Sequence, residues 1–242
     1  MRPLAVTART RVGRLPERQR TDRAELDALL DDALVATVST VREGEPFVLP
    51  MAVARDGERL LLHGSSGAGL LSSLTRGARV AVCITRVDAL VFARSVFDSS
   101  MNYRSAVVFG VPSVLDGDAK LAGLRALTAH LMPGRWEEVR PPTRKELAAT
   151  TVLSVPLDEA SIKVRDAGAS GVEADAPGVW AGVVPVVRLL DTAVTAADAT
   201  ADVPASVSRA CARFSVIGPA ARGQVDGVAV AHRRTGDGAG RG

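Results

Sequence analysis

A histidine, two glycines and two serines stand together within residues 60–71, LLLHGSSGAGLL, where one apolar run ends and another begins. A strand that stops at His63, turns through Gly64-Ser65-Ser66-Gly67 and enters a helix offers an anion unpaired backbone N–H groups and the positive end of a helix dipole. The glycines allow close backbone approach and the serines add hydroxyl donors, so the segment reads as a phosphate cradle. The same residues also fit a serine-capped helix after a tight turn, with no ligand. A dinucleotide fingerprint fits poorly. Gly67-Ala68-Gly69 supplies G-x-G, but Ser72 stands where a third glycine belongs, and the preceding strands form a hairpin instead of a parallel unit.

A second constellation lies in residues 92–110, FARSVFDSSMNYRSAVVFG. Arg104 and Ser105 open its apolar run, and the planar guanidinium suits a phosphate or a pair of ring carbonyls. The competing partner for Arg104 is a carboxylate, with Asp98 the nearest in sequence. His63 titrates near neutrality and can serve as donor or acid, or pack as a structural histidine. Tyr103, the only tyrosine, fits the core as well as a ligand contact. His130 falls near a Pro-Gly stop, where it suits a helix C-terminus, and His232 lies in the tail. Three scattered histidines and two cysteines outside any C-x-x-C spacing give no metal-ligand pattern, and Cys83 sits in an apolar run as a buried thiol would. No G-x-S-x-G elbow points to hydrolysis.

The elements that position these groups are mostly strands. Residues 34–40, 47–54, 59–63, 78–85, 89–93, 103–112 and 151–156 have strand composition, and Asp56-Gly57 is a hairpin signal. Pro50 points to an edge or a bulge. Helices are expected after Thr21 or Asp22, at Leu70-Leu71-Leu74, at Leu121-Leu124-Leu127-Leu131 and after Pro141-Pro142. Strands this tightly connected pair antiparallel, and the pattern suggests a closed barrel.

Composition narrows the class. Hydrophobic content of 47% with 3% aromatics implies a core of Val, Leu and Ala. No apolar run is long enough to span a membrane, and the Arg-rich N-terminus has no apolar h-region, so a cytoplasmic protein is expected. The net charge of +3 does not point to nucleic acid: six arginines crowd the first twenty residues and no aromatics interleave them. The chain divides into an extended arm (1–20), one folded domain (21–190) and a tail (191–242) that composition marks as weakly ordered, in which the apolar piece 214–217 can dock.

HGSSGAGLL, VCIT, ALVFARS, SMNYRSAVVFG, Lys120, HLMPGR and VWAGVVP follow one another in an order that resembles the FMN-binding split-barrel proteins related to pyridoxamine 5′-phosphate oxidase, in their nitroimidazole-reductase-like branch. The resemblance implies a mainly β (α+β) fold, an antiparallel split β-barrel with flanking helices, and a homodimer with FMN at the subunit interface. It sets Val48, Leu49, Pro50 and Met51 along the isoalloxazine, His63 and Gly64 at the next strand end, and Ser65, Ser66 and Gly67 in the phosphate loop. It implies that Arg104, with Ser105 beside it, reaches the cofactor, and that Trp180 lies where the partner subunit closes over the ring. The implied activity is FMN-dependent electron transfer from a reduced nicotinamide to a small organic substrate, with His63 as the candidate acid.

Two departures bear on this. Relatives place an arginine in the phosphate loop, where this chain has Ala68 and Gly69. Relatives also read F-H-H-S-M-N-Y-R-S, and the two histidines are here Asp98 and Ser99, so no proton-transfer role transfers. A non-catalytic flavin-binding protein, or a split barrel using haem or a deazaflavin in place of FMN, are the alternative expectations.

Overall fold

The computed structural model describes residues 3–67, 69–170 and 178–215. A short strand, β1 (Gln19–Arg20), precedes α1 (Arg23–Asp32), whose first turn is capped by the Asp22 carboxylate accepting from the Ala24 N–H. Three strands follow: β2 (Val35–Arg42), β3 (Glu45–Asp56) and β4 (Arg59–Ser65). After α2 (Gly69–Thr75) come the long β5 (Val80–Phe92) and β6 (Ser100–Gly110), then β7 (Ser113–Leu115). Three helices, α3 (Gly117–Leu131), α4 (Arg135–Glu138) and α5 (Arg144–Ala149), lead into β8 (Thr150–Pro156) and β9 (Ala160–Arg165). The described chain ends with β10 (Gly182–Pro185) and α6 (Ala205–Phe214).

All ladders are antiparallel, in the order β1-β9-β6-β5-β2-β3-β4-β8-β7, with β10 added to β5. The path has two ends, so the expected closed barrel is instead a split one. The reason lies in β3, which pairs with β2 from Glu45 to Ala52 and with β4 from Val53 to Asp56. Along its first part the other edge of β3 is unpaired, which is where Pro50, lacking an N–H, is tolerated.

Between the two ladders lies one core. Val38, Val82 and Val108 face Leu62, Leu153 and Val155 across it, and Leu26, Leu29 and Leu30 of α1 with Leu70, Leu71 and Leu74 of α2 fill the remaining space. Each fully buried leucine contributes ~1.5–3 kcal/mol. A second cluster, Ala54, Leu61 and Val152 against Leu127, packs α3 on the opposite face of the same strands. Period-two alternation in β4 therefore sends Leu60 and Leu62 inward and Leu61, with His63 after it, outward beneath α3.

The two strands expected at 78–85 and 89–93 are one strand, β5, with a register shift between Val87 and Ala89. Strand pairing by β1, β7, β9 and β10 was not expected, because these pieces are too short or too mixed in pattern to announce themselves. The N-terminal arm lies on the sheet: β1 covers the edge of β9, Leu4 is buried, and Arg9 pairs with Glu159 at 2.9 Å. Of the tail, residues 191–215 are described and include α6, docked through the buried Phe214. Residues 216–242 lie outside the described residues. Among the described residues no helix is long and apolar enough to cross a membrane.

Gly64 has a packing reason of its own. A Cβ there would stand 2.7 Å from Cδ1 of Leu71, itself almost fully buried. Gly64→Ala should cost about 1–3 kcal/mol in denaturant unfolding as Leu71 is pushed off its site; an unchanged unfolding midpoint would show that α2 can move away freely.

Candidate functional site

The loop from β4 to α2 sits at the end of the core, with its serines and Gly67 exposed. Its backbone is partly committed. The Ser66 N–H donates to the Ala149 carbonyl (2.9 Å) and the Gly67 N–H to Ser65 Oγ (3.4 Å), and α2 is only seven residues long. Besides the amides that begin α2, the donors beside the loop include side chains. The β2–β3 turn supplies the strongest one. Glu43 and Gly44 both have positive φ (55° and 85°), a tight two-residue hairpin turn, and the turn carries Arg42 to the loop. Nη1 of Arg42 lies 3.0 Å from the position a Cβ would take at Gly69. Its ion pair with Glu43 is long at 3.8 Å. The arginine missing from the loop sequence is replaced in space by one from 27 positions earlier, as Arg42 and Gly69 are numbered.

Beside this loop runs the open edge of β3. Val48 and Leu49 are exposed, Pro50 is exposed, and Met51 packs partly against the core near Gly64. This apolar strip next to a cationic loop has the amphipathic character that a ring with a phosphate tail requires.

His63 serves a different space. It lines a cavity of about 460 Å³ with Leu124 and Thr128 of α3, Trp136 of α4, Val139, Arg140 and Pro142, Glu146 and Leu147 of α5, and Thr150. Nδ1 of His63 is buried and has no hydrogen-bond partner, and burial pushes the imidazole below its ordinary pKa. A neutral imidazole on the wall of a largely apolar cavity is a group that can ligate a metal centre. At the cavity rim Arg140 donates to both oxygens of Glu146 (2.8 and 2.6 Å), and with the Thr143 capping box this holds the Glu146 carboxyl down to about 2.

Arg104 is not at the loop. Three strands, β5, β2 and β3, stand between β6 and β4, and its guanidinium is bidentate to Asp88 (3.0 and 2.8 Å), not to Asp98. Asp88 is the residue skipped by the β5 bulge, which frees its side chain to face Arg104 and Arg86. Asp98 instead accepts from the Ser95 hydroxyl in the β5–β6 turn. Ser105 donates weakly to the Lys163 carbonyl at 3.4 Å. Trp180 lies across Gly182, whose missing side chain makes room for the ring, and stacks at a tilt on Phe92 (5.9 Å). The indole is 64% exposed, which fits a surface awaiting cover.

The structure therefore groups the predicted residues in four places: β3 with the loop, His63 beneath α3, Arg104 with Ser105 on β6, and Trp180 against Phe92 of β5. Arg42, Trp136 and Arg140 were not anticipated. Only the spacing of the hairpin turn hinted at Arg42, and nothing local marked the cavity, whose walls come from five separate elements.

Burial depresses the pKa of both His63 and His130 below 6.5. The unfolded chain thus binds protons that the folded one refuses, so their contribution to stability is complete above 6.5 and is lost as pH falls through the folded values. Urea unfolding should show stability falling from neutral pH toward pH 5, and His63→Leu should flatten part of that fall. A parallel pH profile in the variant would remove His63 from the account.

A family model described as pyridoxamine 5′-phosphate oxidase matches residues 22–164. The FAD and haem binding protein from Mycobacterium smegmatis is similar at 43% identity and TM-score 0.78, covering 80% of this chain and 97% of that one. The flavocytochrome Anf3 from Azotobacter vinelandii is similar at 32% identity and TM-score 0.80, covering 89% and 100%. A putative 5-nitroimidazole antibiotic resistance protein from Bacteroides thetaiotaomicron shares the fold at 21% identity and TM-score 0.52, covering 60% and 86%. Among curated proteins no sequence match was found. With the split ladders, the open strip on β3 and a family match spanning more than half its length, the chain belongs to the pyridoxamine 5′-phosphate oxidase family.

Proposed function

We propose that this protein is a redox protein that binds both a flavin nucleotide and haem, with His63 as the haem ligand. The observation that carries the haem half is His63 on the wall of an apolar cavity, its buried Nδ1 without a hydrogen-bond partner among the described residues. The size, about 460 Å³, is in the range of cofactor pockets. Leu124, Trp136, Val139 and Leu147 would hold the macrocycle faces and exclude water, and Arg140 at the rim would hold a carboxylate. The names of the relatives at 43% and 32% identity support the same reading.

For the flavin, Val48, Leu49, Pro50 and Met51 would lie along the ring, and Arg42, Ser65 and Ser66 would hold phosphate. The resemblance implied FMN; the 43% identical protein is named for FAD, and that likeness favours FAD here. The two groups together would supply exchange between two-electron and one-electron chemistry. The chain's own part is to position them, keep His63 neutral and fix charge around the phosphates. A reduced nicotinamide is the proposed electron source. A homodimer is proposed as well, because Val48, Leu49, Phe92, Met101, Trp180 and Val183 leave large apolar side chains exposed on the sheet.

The test is the absorbance of protein purified with haem supplied. A Soret band and flavin bands together are expected. His63→Ala should lose the Soret band and keep the flavin, whereas Arg42→Ala should keep the Soret band and weaken flavin binding by about tenfold or more, as expected for loss of a charge-assisted contact. Chromatography of the heat-released flavin identifies FAD or FMN. A wild-type Soret band in His63→Ala would overturn the haem site. Failure of both NADH and NADPH to bleach the flavin anaerobically would favour a binding protein without nicotinamide-linked activity.

A further inference from the structure

We propose that α6 is a latch held shut by neutral His130 and released in acid. The latch closes over the C-terminal end of α1, whose last turn carries no basic residue of its own. Three side chains from distant parts of the chain satisfy the carbonyls there. His130 Nε2 donates to the Ala33 carbonyl (2.6 Å), Arg188 to that of Asp32 (3.0 Å) and Arg213 to that of Asp31 (3.4 Å). Arg188 also donates to the Phe214 carbonyl (2.7 Å) and pairs with the Asp32 carboxylate. The Phe214 ring is buried edge-on to His130, with the guanidinium groups of Arg188 and Arg213 over it at 5.4 and 5.2 Å.

This geometry assigns the tautomer. Because Nε2 carries the hydrogen toward Ala33, Nδ1 presents its lone pair, and Nη2 of Arg213 lies 3.2 Å away to donate to it. Protonating His130 places a new N–H against that N–H and sets two cations side by side in a buried place. Asp31 and Asp32 of α1 do not rescue the pair, since Arg55 of β3 already holds Asp31 at 2.6 Å and Arg188 and Arg86 share Asp32. Arg55 and Arg188 add further positive charge nearby. The cheapest relief is departure of Arg213, and with it Phe214 and the end of α6.

The other end of α6 has a separate anchor: Glu138 accepts from the N–H (3.0 Å) and hydroxyl of Ser206. Release at Phe214 thus swings the helix about Ser206. It displaces one wall, Val207 and Cys211, of a cavity of about 660 Å³ that is already present with α6 docked and is otherwise lined by Met132, Leu190 and Val203. It also frees Arg188 from the Phe214 carbonyl while leaving it on Asp32, which Arg86 shares, and Arg86 and Arg104 meet at Asp88. The latch needs no cofactor to operate.

Hydrogen exchange on the full chain tests it, with rates corrected for the intrinsic pH dependence. Protection of the amides of residues 207–215 should fall by roughly tenfold for each pH unit below about 6.5, until the docked His130 itself titrates, while the β5–β6 ladder stays protected. Arg213→Gln should move the midpoint to higher pH. In His130→Gln protection should no longer depend on pH. The His130 ring nitrogens, followed by NMR in the wild type, should titrate at the same midpoint as the exchange. Protection of α6 that is independent of pH in the wild type, or a His130 titration a full unit or more away from the exchange midpoint, would overturn the proposal.

Discussion

β3 pairs with β2 up to Ala52 and with β4 from Val53 onward, so a single strand of 12 residues belongs to both ladders. Backbone hydrogen bonding leaves little freedom at such a junction. Each residue of β3 finds a partner on one side only over most of its length, and the two ladders diverge from it at an angle that the core must fill. Leucines of α1 and α2 fill it. Because they do, the edge of β3 before Ala52 stays open, and its apolar side chains face outward beside the β4–α2 loop. The exposed strip, the loop and the inner packing of Gly64 against Leu71 are consequences of the same switch.

The outward face of β4 is the second consequence. Alternation puts Leu61 and His63 on the side opposite the core, where α3 covers Leu61 and leaves space over His63. Neighbours in sequence thus serve separate spaces: His63 looks toward α3 and α5, whereas Gly64 touches Leu71 and lies near Met51 inside. The two proposed redox groups would require such a separation, each with its own donors, and one strand provides it.

Charge pairing ties the periphery to this frame. The β5 bulge turns Asp88 toward Arg104 and Arg86, Arg86 reaches Asp32 at the end of α1, and Asp32 holds Arg188 beneath α6. These groups are only partly screened by protein, so each pair contributes little alone. Their value is positional: they fix where α6 docks and where Arg104 points. His130 lies in the last turn of its own helix, as its sequence position assigned, and its side chain also completes the end of α1.

Much of the frame was legible in the sequence because it depends on local periodicity. The β2–β3–β4 meander, the Asp22 cap, the Leu26-Leu29-Leu30 stripe and the edge position of Pro50 all follow from residue spacing and backbone chemistry within a few positions. The family likeness was also present in short motifs, and with it the expectation of a flavin. What spacing could not reveal was whatever depends on strands meeting across the sheet. The short strands β1, β7, β9 and β10 acquire strand geometry from their partners. Arg42 reaches Gly69 only because a two-residue turn bends it there, and Arg104 meets Asp88 only because a bulge drops that residue from the ladder. The His63 cavity is bounded by α3, α4, α5 and β8 together. Sequence by itself determined the kind of strands, the turns between them and the family, since hydrogen-bond geometry and side-chain period act over a few residues. Tertiary structure alone decided which cation serves which anion and which face of β4 His63 occupies as a site, since those depend on distances between residues that the chain does not hold adjacent.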